Sequence, residues 1–450
     1  MNVLIENCNF ADNISPTNNN NDQTYAIFSD KNHETFDLLH CSFTYNDHTD
    51  KSYGAIHVNE LMHNLAIRTT NFTKTNTMSS AIGSAIYIQT SKNEEEFAQI
   101  EDCIFESAKY QGTDNNGAHA IYSSCYSFTI SRCNFIDCGN NNHHAINIAC
   151  TRFLFSESNV TFSTATQSQA SAGIKFDAGI NSITNVLFQN TYSTDGSAIT
   201  YTGSSGNNEL SIQYTTFDGC KGTTNCCFNI ECAHDIVFSH NTILGDGTRT
   251  VIGKNGIISL TDQEKILIDS CTFFNNYFQG NYGGIGLQLQ STYDNPIIHY
   301  HNCTFDQNKH NTFGGAIQQG YPEGGTDDPN IDNMVKCIVN ITNCTFIGNR
   351  IVGDSAGGAL AISSNRPTYI DSCIFNQNSC QWGGILYIYP NNRVTQQHHI
   401  SEVQITNCNF TSNFANSGQA QVIYIGKFKD NNCYITSVLI ENSTFTDNYP

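Results

Sequence analysis

Ile341-Thr342-Asn343-Cys344-Thr345-Phe346-Ile347-Gly348-Asn349 and Ile405-Thr406-Asn407-Cys408-Asn409-Phe410-Thr411-Ser412-Asn413 are two copies of one phrase, I-x-x-C-x-F-x-x-N. Within each copy the Cys and Phe are two apart and share a face of an extended chain, as period-two alternation requires. The Ile and Cys are three apart, so one straight strand cannot point both inward. The phrase therefore predicts two short strands with a bend between them, at Thr342-Asn343.

The phrase returns around Cys8, Cys41, Cys103, Cys133, Cys271, Cys303, Cys344, Cys373 and Cys408. Relaxed copies carry Thr70, Val160, Val186, Thr215 or Ser443 at the Cys position. The Phe position marks the register: Phe10, Phe43, Phe72, Phe105, Phe135, Phe162, Phe188, Phe217, Phe273, Phe305, Phe346, Phe375, Phe410 and Phe445, with Ile243 in one slot. Neighbouring marks are on average about 31 residues apart. A second phrase follows each Phe, as in Gly283-Gly284-Ile285, Gly314-Gly315-Ala316-Ile317, Gly357-Gly358-Ala359-Leu360 and Gly383-Gly384-Ile385. The glycine pair reads as a sharp turn into the next strand. It is no phosphate loop, because no helix follows it.

Short strands rich in Ile, Val, Thr, Phe and Tyr, without a sustained helical period, give about three strands per repeat. One such unit cannot bury its apolar face alone, and stacking identical units can. The expected fold is all-β: a right-handed parallel β-helix of the pectin-lyase-like kind, about 15 coils long, in one domain spanning residues 1–450. Stacking puts Phe on Phe and Cys on Cys. It also lines up the Asn three after each Phe (Asn13, Asn46, Asn276, Asn308, Asn349, Asn378, Asn413, Asn448) as an amide ladder at a left-handed turn. Copies between Phe72 and Ile243 mostly lack that Asn, so the middle should be less regular.

Composition narrows the function. The chain has 450 residues, 20 Lys+Arg against 40 Asp+Glu, and a formal net charge of −20. Such a chain repels nucleic acid, anionic membrane and polyanionic glycans. No apolar run is long enough for a spanning helix, so direct membrane insertion is not expected. The first residues, MNVLIENCNF, lack the basic and apolar regions of a signal peptide. Asn numbers 57, and the amide ladder accounts for part of that excess.

The pairing of F-x-x-N with G-G-A-[IL], alternating along nearly the whole chain, resembles the repeats of the chlamydial polymorphic outer membrane proteins. It is also similar to repeats in large surface proteins of trichomonad protists, which the Asn-rich composition matches more closely. The resemblance implies a surface-displayed β-helical passenger for adhesion or partner interaction, at the cell surface or outside the cell. It implies no catalytic residue, no cofactor and no metal, and a protein or glycan ligand as partner. The chain begins and stops inside repeats and carries neither signal nor anchor. It is expected to be a fragment with both ends open.

The Cys column reads as buried, reduced thiols acting as small apolar groups, although stacked neighbours fall within the Cα separation of disulfides. Cys220, Cys226, Cys227, Cys232 and His234 lack zinc-site spacing. His299 and His301 share a strand face but lack a third ligand. A polysaccharide lyase or glycoside hydrolase is the main alternative, and it needs acids clustered on adjacent coils. Glu6, Glu101, Asp269, Asp371 and Glu441, two before the Cys position, never fall on neighbouring coils. A structural stalk is the other alternative. Arg68 with Glu101, and Asp102 with Arg132, hold equivalent positions on neighbouring coils and should pair outside, as should Asp269 with His301. The candidate partner-contact loop is the Pro/Gly-rich insertion with Tyr321, Glu323, Asp327 and Asp328. Among eight Asn-x-Ser/Thr sequons, Asn302, Asn343 and Asn442 sit at the outer corner, where a glycan fits.

Overall fold

The computed structural model describes residues 2–11, 26–30, 34–44, 55–60, 63–77, 85–90, 96–110, 118–139, 144–163, 172–177, 179–193, 198–203, 208–222, 227–231, 234–247, 258–261, 264–278, 288–290, 296–319, 338–363, 367–389, 401–416, 421–425 and 435–449. Among them every regular element is a strand. Strands of successive coils pair in parallel and in register, while consecutive strands of one coil enter different sheets. This is a parallel β-helix. Two compact units carry it, one formed by Met1–Asn208 with Thr215–Lys221, the other by Glu209–Tyr214 with Gly222–Pro450.

In the second unit the coil is seen most fully. Ile338–Thr342, Thr345–Ile347, Arg350–Ile351 and Leu360–Ser363 form one turn. That makes four strands where the sequence suggests about three. The extra one, Arg350–Ile351, is too short to show a period, yet it pairs with Lys309–His310 of the coil before. Ile341, Cys344 and Phe346 are all fully buried, and Asn343 between them is exposed with φ 54°. One left-handed residue thus resolves the odd spacing.

That corner recurs at the same place in every coil. In the first unit it is occupied by Asn7, His40, Thr69, Asp102, Arg132, Glu157 and Asn185, and in the second by Tyr214, His240, Ser270, Asn302, Asn343, Ser372, Asn407 and Asn442, all at positive φ. The left-handed conformation costs a non-glycine residue roughly 1–2 kcal/mol. It is held by ladder bonds to the next coil, such as Asn343 N–H to Asp371 O at 3.1 Å and Arg132 N–H to Ser156 O at 3.2 Å.

The core is built from like residues on like. Within the first unit Phe10, Phe43, Phe72, Phe105 and Phe135 stack with centroids 4.7–5.0 Å apart. Within the second, Phe273, Phe305, Phe346, Phe375, Phe410 and Phe445 do the same at 4.6–5.0 Å. The spacing is that of the strands themselves, so each ring contacts the next offset and nearly parallel.

One register expectation fails. Val160, not Phe162, pairs with Phe135 and Phe188, and Ser158 takes the Cys position. A shift of two keeps a residue on the same face, so both Val160 and Phe162 are buried and alternation alone cannot choose between them. Phe155 fills the space the shorter valine leaves. It meets Phe135 and Phe188 edge to face, each at 6.3 Å.

The amide ladder runs unbroken through Asn276, Asn308, Asn349, Asn378, Asn413 and Asn448, each side chain donating to the next at 3.0–3.1 Å. Asn13 and Asn46 lie outside the described residues. The ladder asparagines are not the left-handed residues. The residue before each is: Asn275, Gln307, Gly348, Gln377, Ser412 and Asp447 all have positive φ. The amides therefore point inward. In the first unit the same position holds Thr75, Ala108, Cys138, Thr191 and Cys220, all buried, and Ser163, which is exposed. The Cys138 thiol donates to Phe105 O at 3.2 Å, replacing the amide that donates to the equivalent carbonyl elsewhere, as Asn308 does to Phe273 O at 2.9 Å. The middle differs further in its two long strands, Ala118–Ser131 and His144–Ser156.

The glycine pairs behave as turns. Gly314, Gly357, Gly383 and Gly384 have positive φ, and a Cβ on Gly315 would lie 2.1 Å from Gly358 O.

Candidate functional site

Strand alternation fixes what the outer face of the second unit presents. In Ile297–His301 the residues Ile298 and Tyr300 are fully buried, which turns His299 and His301 outward. In-register stacking then sets Asp269, His301, Thr342, Asp371 and Thr406 in one outward column, and Leu267, His299, Asn340, Tyr369 and Gln404 in another.

Polar contacts run between coils. His301 Nδ1 meets Asp269 Oδ1 at 2.6 Å, and its Nε2 faces Asn343 Nδ2 at 3.4 Å. With the Nδ1 proton given to the carboxylate, Nε2 accepts from the amide. His299 Nε2 lies 2.8 Å from Thr342 Oγ1. Partial burial, and then the neighbouring His301, lower the pKa of His299 and favour its neutral form. One coil further on, Asp371 accepts from Thr406 Oγ1 at 2.6 Å, Asn407 Nδ2 at 2.8 Å and Ser372 Oγ at 2.9 Å. These three donors hold its carboxyl below the usual range, Thr406 contributing most. The arrangement is a half-exposed array of hydrogen-bonding groups, with one His oriented by one carboxylate. Asp269 and Asp371 are separated by two intervening coils in the register, so the two carboxylates do not converge.

The expected ion pairs form. In the first unit Arg68 Nε lies 3.1 Å from Glu101, and Arg132 Nε lies 2.8 Å from Asp102. Arg132 also reaches Glu101 at 3.5 Å, which links both pairs through one carboxylate. Arg132 donates to Asp102 and holds its carboxyl below the ordinary value.

Asn302, Asn343 and Asn442 are all exposed and left-handed at the corner. Tyr321, Glu323, Asp327 and Asp328 lie outside the described residues. Among the described residues no group of three or more His, Cys, Asp or Glu side chains is placed to hold a metal, and no helix is long and apolar enough to cross a membrane.

The sequence reading missed an aromatic patch in the second unit. Tyr387 contacts Phe313 at 5.9 Å, Trp382 at 6.1 Å and Tyr424 at 5.0 Å, over buried Ala356 and Ala361. Trp382, the only Trp of the chain, donates from Nε1 to Asp354 O at 3.2 Å. Beside it Asn416 Nδ2 donates to Gln381 Oε1 at 3.0 Å. The available signal was the aromatic residue directly before a Gly-Gly pair in three repeats, Tyr282, Phe313 and Trp382, the first of which lies outside the described residues.

No family model matches this chain, and no curated protein sequence matches it.

Proposed function

We propose that this chain is a non-catalytic, surface-displayed β-helix that meets a protein or glycan partner. One observation supports the reading above others: in the second unit, left-handed corners present short polar side chains in register, exposed at Asn302, Asn343, Asn407 and Asn442 and half-buried at Ser270 and Ser372. Donors and acceptors repeated at about 4.8 Å suit an extended partner that itself repeats hydroxyls or amides. The net charge of −20 favours a neutral or basic partner over a polyanionic one. The resemblance to polymorphic outer membrane protein repeats points the same way, and with it the right-handed, pectin-lyase-like form of the solenoid. On a secreted chain Asn302, Asn343 and Asn442 are the sequons positioned to carry glycans outward.

A second reading, a glycan-degrading enzyme, draws on the Asp269–His301 pair, which suits general acid–base work. Two measurements separate the readings. A serum against the whole chain is applied to expressing cells before and after permeabilisation. The purified chain is then incubated with a panel of neutral polysaccharides, scored for both retention and cleavage. Labelling of intact cells with retention and no cleavage supports display. Labelling only after permeabilisation overturns it, and cleavage transfers the claim to the enzyme.

A further inference from the structure

The core holds cysteines in contact, coil on coil. In the first unit they form three separate dyads. Cys8 stacks on Cys41 and Cys103 on Cys133, each pair directly preceding strands that pair in register, and on another strand Cys125 pairs directly with Cys150. Thr70 stands between the Cys8–Cys41 and Cys103–Cys133 dyads and Ser158 follows the latter, each accepting the N–H of the preceding coil's Cys. In the second unit Cys271, Cys303, Cys344, Cys373 and Cys408 form an unbroken column, each directly preceding a strand that pairs in register with the next. All of these except Cys8 are buried, and all are free thiols. In-register neighbours in parallel strands lie about 4.8 Å apart at Cα, inside the range of about 4.4–6.8 Å that a disulfide spans.

We propose that these stacked thiols are latent inter-coil staples: each contacting pair is placed to oxidise to a disulfide that ties one coil to the next. With hydrogen peroxide as oxidant, one thiolate attacks the peroxide and becomes a sulfenic acid, releasing one water. The neighbouring thiol then displaces the second water and closes the S–S bond. Two thiols and one peroxide give one disulfide and two waters. The column and the dyads differ in outcome. Each dyad has one possible partner and yields one bridge. The five-thiol column has four neighbour pairings, holds at most two bridges at once, and always keeps one thiol. Burial raises the Cys103 thiol well above its ordinary pKa, so closure of the Cys103–Cys133 bridge accelerates from pH 7 to pH 9.

The test uses the whole chain, purified reduced and treated natively with hydrogen peroxide at both pH values. Free thiols are blocked, the protein is digested without reduction, and linked peptides are mapped by mass spectrometry. Cys8–Cys41, Cys103–Cys133 and Cys125–Cys150 are expected as single products, with no more than two bridges among Cys271 to Cys408. C103S should remove the Cys103–Cys133 product alone. Serine is native at the equivalent position in Ser158 and Ser443, where its hydroxyl donates to the carbonyl two residues back just as the thiols do, and an intact Cys8–Cys41 product reports that the variant is folded. T70C should create new products to Cys41 or Cys103. Links between cysteines that are not register neighbours would overturn the proposal. So would thiols that stay free, or that oxidise singly without bridging, at both pH values.

Discussion

The side-chain amide of Asn308 donates to Asn349 Oδ1 at 3.0 Å, and the Asn308 backbone N–H donates to the same oxygen at 3.1 Å. Asn349 in turn gives its amide to Phe305 O at 2.8 Å and to Asn378 Oδ1 at 3.0 Å. Both residues are fully buried. Each ladder amide therefore satisfies groups of three coils, and none of them has water as an alternative partner.

Asn349→Leu should remove all of these bonds at once and leave buried donors on Asn308 unsatisfied, at a cost of about 2–4 kcal/mol. Asn349→Cys should cost clearly less, because Cys138 and Cys220 occupy the same position and reach the equivalent carbonyl with a thiol. Urea unfolding, followed by the fluorescence of Trp382 in the same unit, orders the two variants. Equal losses would mean that the ladder acts only by filling volume.

Asp371 gives a signed pH dependence. Its folded pKa is depressed by Thr406, Asn407 and Ser372. Its contribution is therefore fully present above the unfolded carboxylate pKa of about 4. It is lost as pH falls through the lower folded value. Asp371→Asn should lower thermal stability modestly at pH 7, the site being half-exposed and its contribution therefore small, and should flatten the decline below about pH 4. Parallel stability curves for the two proteins would refute the assignment.

Two glycines with the same sign of φ should respond oppositely. Gly384 has φ +80° and a Cβ there would lie 2.9 Å from Val422 O, so Gly384→Ala combines backbone strain with a clash and should cost at least about 1–2 kcal/mol. Gly348 has φ +60° but its nearest neighbour is the flexible Gln307 side chain at 3.5 Å. Asn275, Gln307, Gln377 and Ser412 adopt that conformation at equivalent positions, so Gly348→Asn should stay within about 0.5 kcal/mol of the parent. Thermal melts of the two variants decide the matter, and a large loss in Gly348→Asn would count against the explanation.

Much of the coil was legible because stacking turns a local pattern into contacts. The odd spacing of Ile341 and Cys344 forced a corner, and knowing the register was enough to pair Arg68 with Glu101, Asp102 with Arg132 and Asp269 with His301. What escaped the sequence has physical causes. Arg132, Glu157 and Tyr214 are poor candidates for a left-handed backbone by type, and only the ladder bonds of the neighbouring coil hold them there. The Trp382 patch escaped because Phe313, Trp382, Tyr387 and Tyr424 come together across coils of unequal length. The hydrogen-bonding hub at Asp371 escaped because its donors Thr406 and Asn407 come from the next coil and are unremarkable by themselves.

The register at Val160 supplies the sharpest test of these stacking rules. Read as a repeat, the chain would be made more regular by a Phe at this position, matching Phe135 before it and Phe188 after it. In the structure Phe155 already occupies that volume, touching both rings edge to face at 6.3 Å. Val160→Phe should therefore overpack the core and destabilise the first unit by about 1–3 kcal/mol, despite restoring the consensus. Combining it with Phe155→Leu should recover much of the loss, because the two side chains compete for one space and their effects cannot be additive. Thermal unfolding of the two single variants and the double variant measures that coupling. Additive losses would place Phe155 elsewhere and return the Phe position of this coil to Phe162.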